Sequence, residues 1–227
     1  MIPKIVHYCW LSGDPVPDNL SKCMESWKRL LPDYEFMLWD KSRFDINSVA
    51  WVKEAYENKK YAFAADYIRL YAVYNYGGIY LDMDVEVRKS FNPLLNNGYI
   101  LGYEKENCIE AGIFGAEQGA DWLKPCLEYY VGRHFIKSNG EFDTLPLPRI
   151  MFAIMQPYLP SLNIFPNEYL TAKSFETGIV HCTDKTYTIH HFAGSWFGKK
   201  QKLYRSVEKI VGKNIAQIIS KAWKKVR

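Results

Sequence analysis

Short apolar runs of strand length alternate along the chain with longer stretches whose apolar positions recur at helical spacing. Residues 4–10 read as a buried strand ending at the turn Ser12-Gly13-Asp14-Pro15, residues 20–31 as a helix stopped by Pro32, and residues 34–39 as a second strand. Strand, helix and strand in that order predict an α/β architecture that takes a nucleotide at the carboxyl ends of its strands.

Residues 49–58 predict a helix, and residues 62–76 a stronger one with Phe63, Tyr67, Leu70 and Tyr74 on one stripe. Gly77-Gly78 closes it, because glycine suits a left-handed helix end, and releases Ile79-Tyr80-Leu81 as a buried strand running into Asp82. Further strands are expected at residues 85–88, 99–103, 112–116 and 186–191, and helices at residues 122–133 and 149–158.

Composition narrows the class. A chain of 227 residues with 48% hydrophobic content can bury one substantial core and is short for two independent ones. Five cysteines, odd in number and without a C-x-x-C pair, suggest neither a disulfide framework nor a thiolate zinc site, so a reducing, cytoplasmic setting is expected. The opening residues lack the pattern of a secretion signal, and no stretch nears the roughly 20 apolar residues that span a bilayer. The net charge of +4 hides an asymmetry: residues 199–227 carry ten Lys or Arg against the single Glu208. That segment has apolar positions at helical spacing and reads as a basic amphipathic tail following a domain of residues 1–198. An anionic membrane surface is the partner it invites, with a helix packed on the domain as the alternative. Nucleic acid is not expected, since no reading motif appears and the rest of the chain is acidic.

The chemistry concentrates in Tyr80-Leu81-Asp82-Met83-Asp84, where alternation along an extended strand would aim both carboxylates to one side. Such a pair suits magnesium or manganese, hard cations that bridge carboxylates to phosphate oxygens. Upstream, Asp66 and Arg69 lie one turn apart in an otherwise apolar and aromatic helix and share a face. They read either as a structural ion pair or as a polar grip on sugar hydroxyls.

The run from Ala64-Ala65-Asp66-Tyr67-Ile68-Arg69-Leu70 through Tyr76-Gly77-Gly78-Ile79-Tyr80-Leu81-Asp82-Met83-Asp84 resembles the DXD-containing sugar-binding region of glycosyltransferase family 32. That family includes yeast initiating mannosyltransferases and bacterial capsule and lipopolysaccharide enzymes, and in this region it is similar to the glucosylating clostridial toxins. Ile2-Pro3-Lys4-Ile5-Val6-His7-Tyr8-Cys9-Trp10 resembles the family's opening strand, and His190-His191-Phe192-Ala193-Gly194-Ser195-Trp196 its closing segment.

The resemblance implies a GT-A fold, a Rossmann-like nucleotide-sugar-binding domain with a mixed sheet and flanking helices. It also implies a retaining transfer, a divalent metal, usually manganese, and a nucleotide diphosphate sugar as donor, UDP being the commonest donor nucleotide among bacterial relatives. Carried over to this chain, Asp82 would meet the sugar or ribose and the metal, and Asp84 would be a direct metal ligand. Asp66 and Arg69 would hold the donor sugar; Trp10 would stack on the base, with backbone groups of Cys9 beside it. One of His190 and His191 would complete the metal shell or touch the diphosphate, and Ser195 and Trp196 would close over it. A glycan or lipid-linked glycan would be the acceptor, in surface polysaccharide synthesis, its specificity set within residues 108–177. Glu110 lies near where related enzymes line the cleft.

Two other readings compete. A haloacid-dehalogenase-like phosphatase also ends an apolar strand in D-x-D, but it requires Thr or Val where this chain has Glu86. A non-catalytic sugar- or nucleotide-binding protein would retain affinity without turnover.

Overall fold

The computed structural model describes residues 1–194, in which the expected α/β arrangement is present. Strand β1 (Ile5–Cys9), helix α1 (Asp18–Leu30) and strand β2 (Glu35–Trp39) are followed by helices α2 (Ala50–Glu57) and α3 (Tyr61–Tyr76) and by strand β3 (Gly78–Leu81). β1 pairs in parallel with both β2 and β3, and the register His7↔Tyr80 brings the residues that follow β1 and β3 past the same edge of the sheet.

α3 is Ala-rich, free of Gly and Pro, and buried almost all round, with Phe63, Ala64, Ile68, Leu70 and Val73 packed away from water. It stops at Gly77, whose φ of 63° places it in glycine's territory and whose N–H bonds to the Val73 carbonyl. Gly78 is needed for a second reason: with φ at 102°, a Cβ there would lie 2.7 Å from the Ile5 carbonyl oxygen of the neighbouring strand. His7 pins this corner, its Nε2 donating to the Gly77 carbonyl at 2.7 Å while Nδ1 accepts from the Trp39 indole at 3.1 Å.

The chain then passes through β4 (Val85–Val87), β5 (Tyr99–Ile100), a hairpin of β6 (Tyr103–Lys105) and β7 (Cys108–Ile109), and β8 (Ile113–Ala116). β8 runs antiparallel to β3, and β5 antiparallel to β8, so the main sheet is mixed, in the order β2-β1-β3-β8-β5. Alternation along its strands sends Val6, Ile79, Leu81 and Ile113 to one face, packed with Trp27 of α1. Tyr80 and Phe114 go to the other, packed with α3. The remaining elements are helices α4 (Leu123–Glu128), α5 (Leu147–Met155) and α6 (Asn167–Leu170) and strand β9 (Thr188–His190), which pairs antiparallel with β4 outside the main sheet.

Three expectations need correction. The strand expected over residues 99–103 is two strands, broken at Gly102, where the chain is so close to Leu170 that a Cβ would lie 2.9 Å from its Cδ1. The helix expected over residues 122–133 ends at Glu128, beyond which the amides of Tyr130 and Val131 bond three residues back rather than four, a tightening of the last turn. The helix expected over residues 149–158 starts earlier, because Pro148 is tolerated in a first turn, and ends before Pro157, which disfavours helix at Gln156. Among the described residues no helix is long and apolar enough to cross a membrane. Ser195, Trp196 and the basic segment 199–227 lie outside the described residues.

Candidate active site

A cleft of about 630 Å³ opens at the carboxyl edge of β1 and β3. Cys9, Trp10, Asp66, Arg69, Asp82, Asp84 and His190 line it together. Trp10 is held by a bond from its indole N–H to the Asp14 carbonyl at 2.7 Å, made possible by the turn after β1. The Cys9 thiol beside it is pushed up to about 12 by burial, which leaves it neutral.

Asp82 and Asp84 share a side, but strand alternation does not put them there. Both lie in a turn after β3, closed by a bond from the Val85 amide to the Asp82 carbonyl at 3.0 Å. Two flanking strands fix this turn. The Asp82 amide bonds to the carbonyl of Gly112, just ahead of β8, and the His191 amide bonds to the Asp84 carbonyl at the end of β9.

Arg69 joins the helix to the turn. Its Nη2 is 3.3 Å from Asp66 Oδ1, its Nη1 is 3.1 Å from Asp82 Oδ2, and Nη1 also donates to the Ala111 carbonyl at 2.8 Å. The Tyr80 hydroxyl donates to the other Asp82 oxygen at 2.8 Å. Burial pushes the Asp66 carboxyl up to about 7 despite Arg69, so this pair is held in a poorly solvated pocket rather than on a wet helix surface.

The two histidines diverge because consecutive residues near the end of a strand face opposite ways. His190 turns into the cleft, with Nε2 3.4 Å from Asp84 Oδ1, whereas His191 turns out to Glu86, with Nε2 3.0 Å from its carboxylate. Ligand atoms of Asp82, Asp84 and His190 all lie within 4.8 Å of one another, and two carboxylates with one imidazole form a donor set that fits a divalent cation; His191 is not part of that group. Burial would raise Asp84, but the neighbouring His190 charge and the Ala193 amide, 2.6 Å from Oδ2, hold it down at about 2.

Behind His190 lies Glu110, fully buried at the end of the β6–β7 hairpin. Its carboxylate is 3.1 Å from His190 Nδ1 and accepts from the Gly112 amide at 2.6 Å and from the Thr171 hydroxyl. Burial opposes a proton on His190, but Glu110 and Asp84 on either side lift its basicity well above that of a free imidazole. The sequence marks Glu110 only as a residue near the cleft; its placement depends on a partner 80 residues later in the chain. Tyr80 and Thr171 carried no sequence signal beyond strand alternation for Tyr80. Glu104, also on the cleft wall, makes no hydrogen bond or ion pair with another described residue; burial and the nearby Glu110 push its carboxyl up to about 7.

The described fold superposes on the PaToxG glycosyltransferase with a TM-score of 0.56 at 18% identity, covering 71% of each chain. It also superposes on a glycosyltransferase involved in glycosylation of the major capsid of PBCV-1, with a TM-score of 0.53 at 14% identity, covering 84% of this chain and 95% of that one. The architecture is the GT-A fold.

Residues 17–100 match the glycosyltransferase sugar-binding region containing the DXD motif. It is 32% identical over 126 residues to inositol phosphoceramide mannosyltransferase 3 of Schizosaccharomyces pombe, covering 54% of this chain and 35% of the relative. Mannosyl phosphorylinositol ceramide synthase SUR1 of Saccharomyces cerevisiae is 32% identical over 99 residues, 42% of this chain and 26% of the relative. A glycosyltransferase described as uncharacterized, L373 of Acanthamoeba polyphaga mimivirus, is 28% identical over 145 residues, 61% of this chain and 58% of the relative. The matched segments thus span about a third of the first relative's length and a quarter of the second's.

Proposed function

We propose that this chain transfers a sugar from a nucleoside diphosphate donor to a hydroxyl of a glycan or glycolipid acceptor. The observation that carries this reading is the convergence of Asp82, Asp84 and His190 beside the Asp66–Arg69 pair in one cleft. Asp82, Asp84 and His190 would hold a divalent cation, manganese by preference, which when bound neutralises charge on the departing diphosphate. Asp66 and Arg69 would accept and donate hydrogen bonds to the donor sugar, and Trp10 would stack on the base.

Transfer breaks the bond from the anomeric carbon to the diphosphate oxygen and forms one to the acceptor oxygen. In a retaining, front-face course the acceptor's proton passes to the departing diphosphate oxygen, and no separate base is required. The names of the yeast relatives make mannose the first sugar to try and an inositol-bearing sphingolipid a candidate acceptor, alongside the surface glycans of bacterial members. On this reading the basic residues 199–227 would rest on an anionic cytoplasmic leaflet and bring the cleft to a lipid-borne acceptor.

The test is incubation of purified protein with manganese and a panel of UDP- and GDP-sugars, measuring free nucleoside diphosphate from slow donor hydrolysis. Release with one donor, dependent on the metal, supports the transferase reading and names the donor. Binding without release for every donor would favour a sugar-nucleotide-binding role instead. Equal flotation on anionic liposomes by the full chain and by a chain ending at residue 198 would remove the membrane role.

A further inference from the structure

Glu110 lies beyond the segment that carries the family match and is not among the groups expected to touch metal or donor. It is nonetheless a carboxylate with no exposed surface, and burying such a group requires partners that compensate for lost water. Its partners form a line. The Thr171 hydroxyl and the Gly112 amide fix the two oxygens, the same carboxylate lies 3.1 and 3.3 Å from His190 Nδ1, and His190 Nε2 points on to Asp84 at 3.4 Å. Thr171 follows α6, and the Thr188 hydroxyl bonds to the Leu170 carbonyl, so α6 and β9 are tied together around this line.

We infer that Glu110, oriented by Thr171, is the positioning residue that makes His190 a cation ligand; this rests on reading Asp82, Asp84 and His190 as the cation's ligands. An imidazole can offer a lone pair from one nitrogen while the other keeps its proton, and the hydrogen bond made by the second nitrogen decides which is which. Here the carboxylate behind the ring holds the proton at Nδ1 and leaves Nε2 to face Asp82 and Asp84. The Phe192 ring, stacked on the imidazole with centroids 4.1 Å apart, restrains the plane of the ring, and the bond to Glu110 fixes where its nitrogens point within that plane. The acidic residue after the hairpin therefore acts through His190 and does not touch the donor.

The experiment measures Mn²⁺ binding to the full chain, without donor, by the paramagnetic resonance signal of free Mn²⁺, for Glu110→Gln, Thr171→Val and Asp84→Ala, with thermal unfolding recorded for each. Glu110→Gln, close in shape and uncharged, is expected to weaken Mn²⁺ binding on the order of 10–100-fold. Thr171→Val, which removes only the hydroxyl that orients Glu110, is expected to weaken it less and in the same direction, and decides the matter if Glu110→Gln does not fold. Wild-type Mn²⁺ affinity in the folded variants, with only a lowered unfolding midpoint, would overturn the inference and leave Glu110 a purely structural group. Asp84→Ala separates the two levels: if it too binds Mn²⁺ as the wild type does, the cation site itself is misread.

Discussion

The guanidinium of Arg69 reaches 3.1 Å from Asp82 and so ties α3 to the turn after β3. A second nitrogen holds Asp66, leaving one buried cation shared by two carboxylates and the backbone carbonyls of Ala65 and Ala111. Replacing Arg69 with Met removes the charge but not the bulk, and leaves both carboxylates facing an apolar side chain. Breaking a buried pair in this way costs about 3–5 kcal/mol. Urea unfolding of Arg69→Met should show a loss of that size, and a loss under about 1 kcal/mol would mean that water already reaches the pair.

Asp84 is expected to matter for turnover far more than for folding. Its side chain opens on the cleft, and its backbone carbonyl, which Ala retains, makes the bond to β9. Asp84→Ala should lower metal-dependent release of nucleoside diphosphate by about 100-fold or more, the equivalent of roughly 3 kcal/mol of transition-state charge stabilisation. Its far-UV circular dichroism should be unchanged. Full activity in this variant would remove the turn from the site.

Gly112 is present because nothing larger fits. A Cβ there would lie 2.6 Å from His190 Cε1, 2.9 Å from Asp82 Oδ2 and 3.0 Å from Glu110 Oε1. Gly112→Ala must therefore push apart the groups that converge, while its backbone stays within reach of an ordinary residue. Displacements near 1 Å at a reacting centre cost on the order of 100-fold in rate. Donor turnover should fall by about that factor, with a much smaller change in the thermal midpoint.

Glu104 gives the fold a dependence on pH. Burial first, and then the charge of Glu110, raise its carboxyl to about 7, while His190, Lys105 and Arg149 act in the opposite direction. A native carboxyl more basic than its unfolded counterpart binds more protons in the native state, so it lowers stability as pH rises from about 4.5 to about 7. Glu104→Gln should therefore be more stable than the wild type at pH 8, and the difference should vanish below pH 4.5. Matching denaturation curves for the two proteins at pH 8 would show that Glu104 is well solvated.

The elements decided by near neighbours were legible from the sequence. α3, its glycine stop and the strand into Asp82 follow from periodicity and from what Gly77 and Gly78 permit, and Asp66 and Arg69 meet because a helix brings positions three apart together. What depended on distant pairing was not legible. Only the alignment of β9 against β4 chooses His190 over His191, and only the β6–β7 hairpin, hidden by a break at Gly102, delivers Glu110. The D-x-D spacing gave the right juxtaposition through the wrong geometry, a turn rather than a strand, because both conformations bring alternate residues to one side.

The pairing of β4 with β9 joins groups that are synthesised at different times. His190 is added 80 residues after Glu110, about 4–16 s later at ordinary rates of translation. Throughout that interval the growing chain contains Asp82, Asp84 and Glu110 without the imidazole that lies among them in the complete chain. A chain ending before Thr188 would carry the whole segment that matches the sugar-binding region and would lack the histidine of the three-residue cluster, so the cluster depends on a strand that lies outside the matched segment.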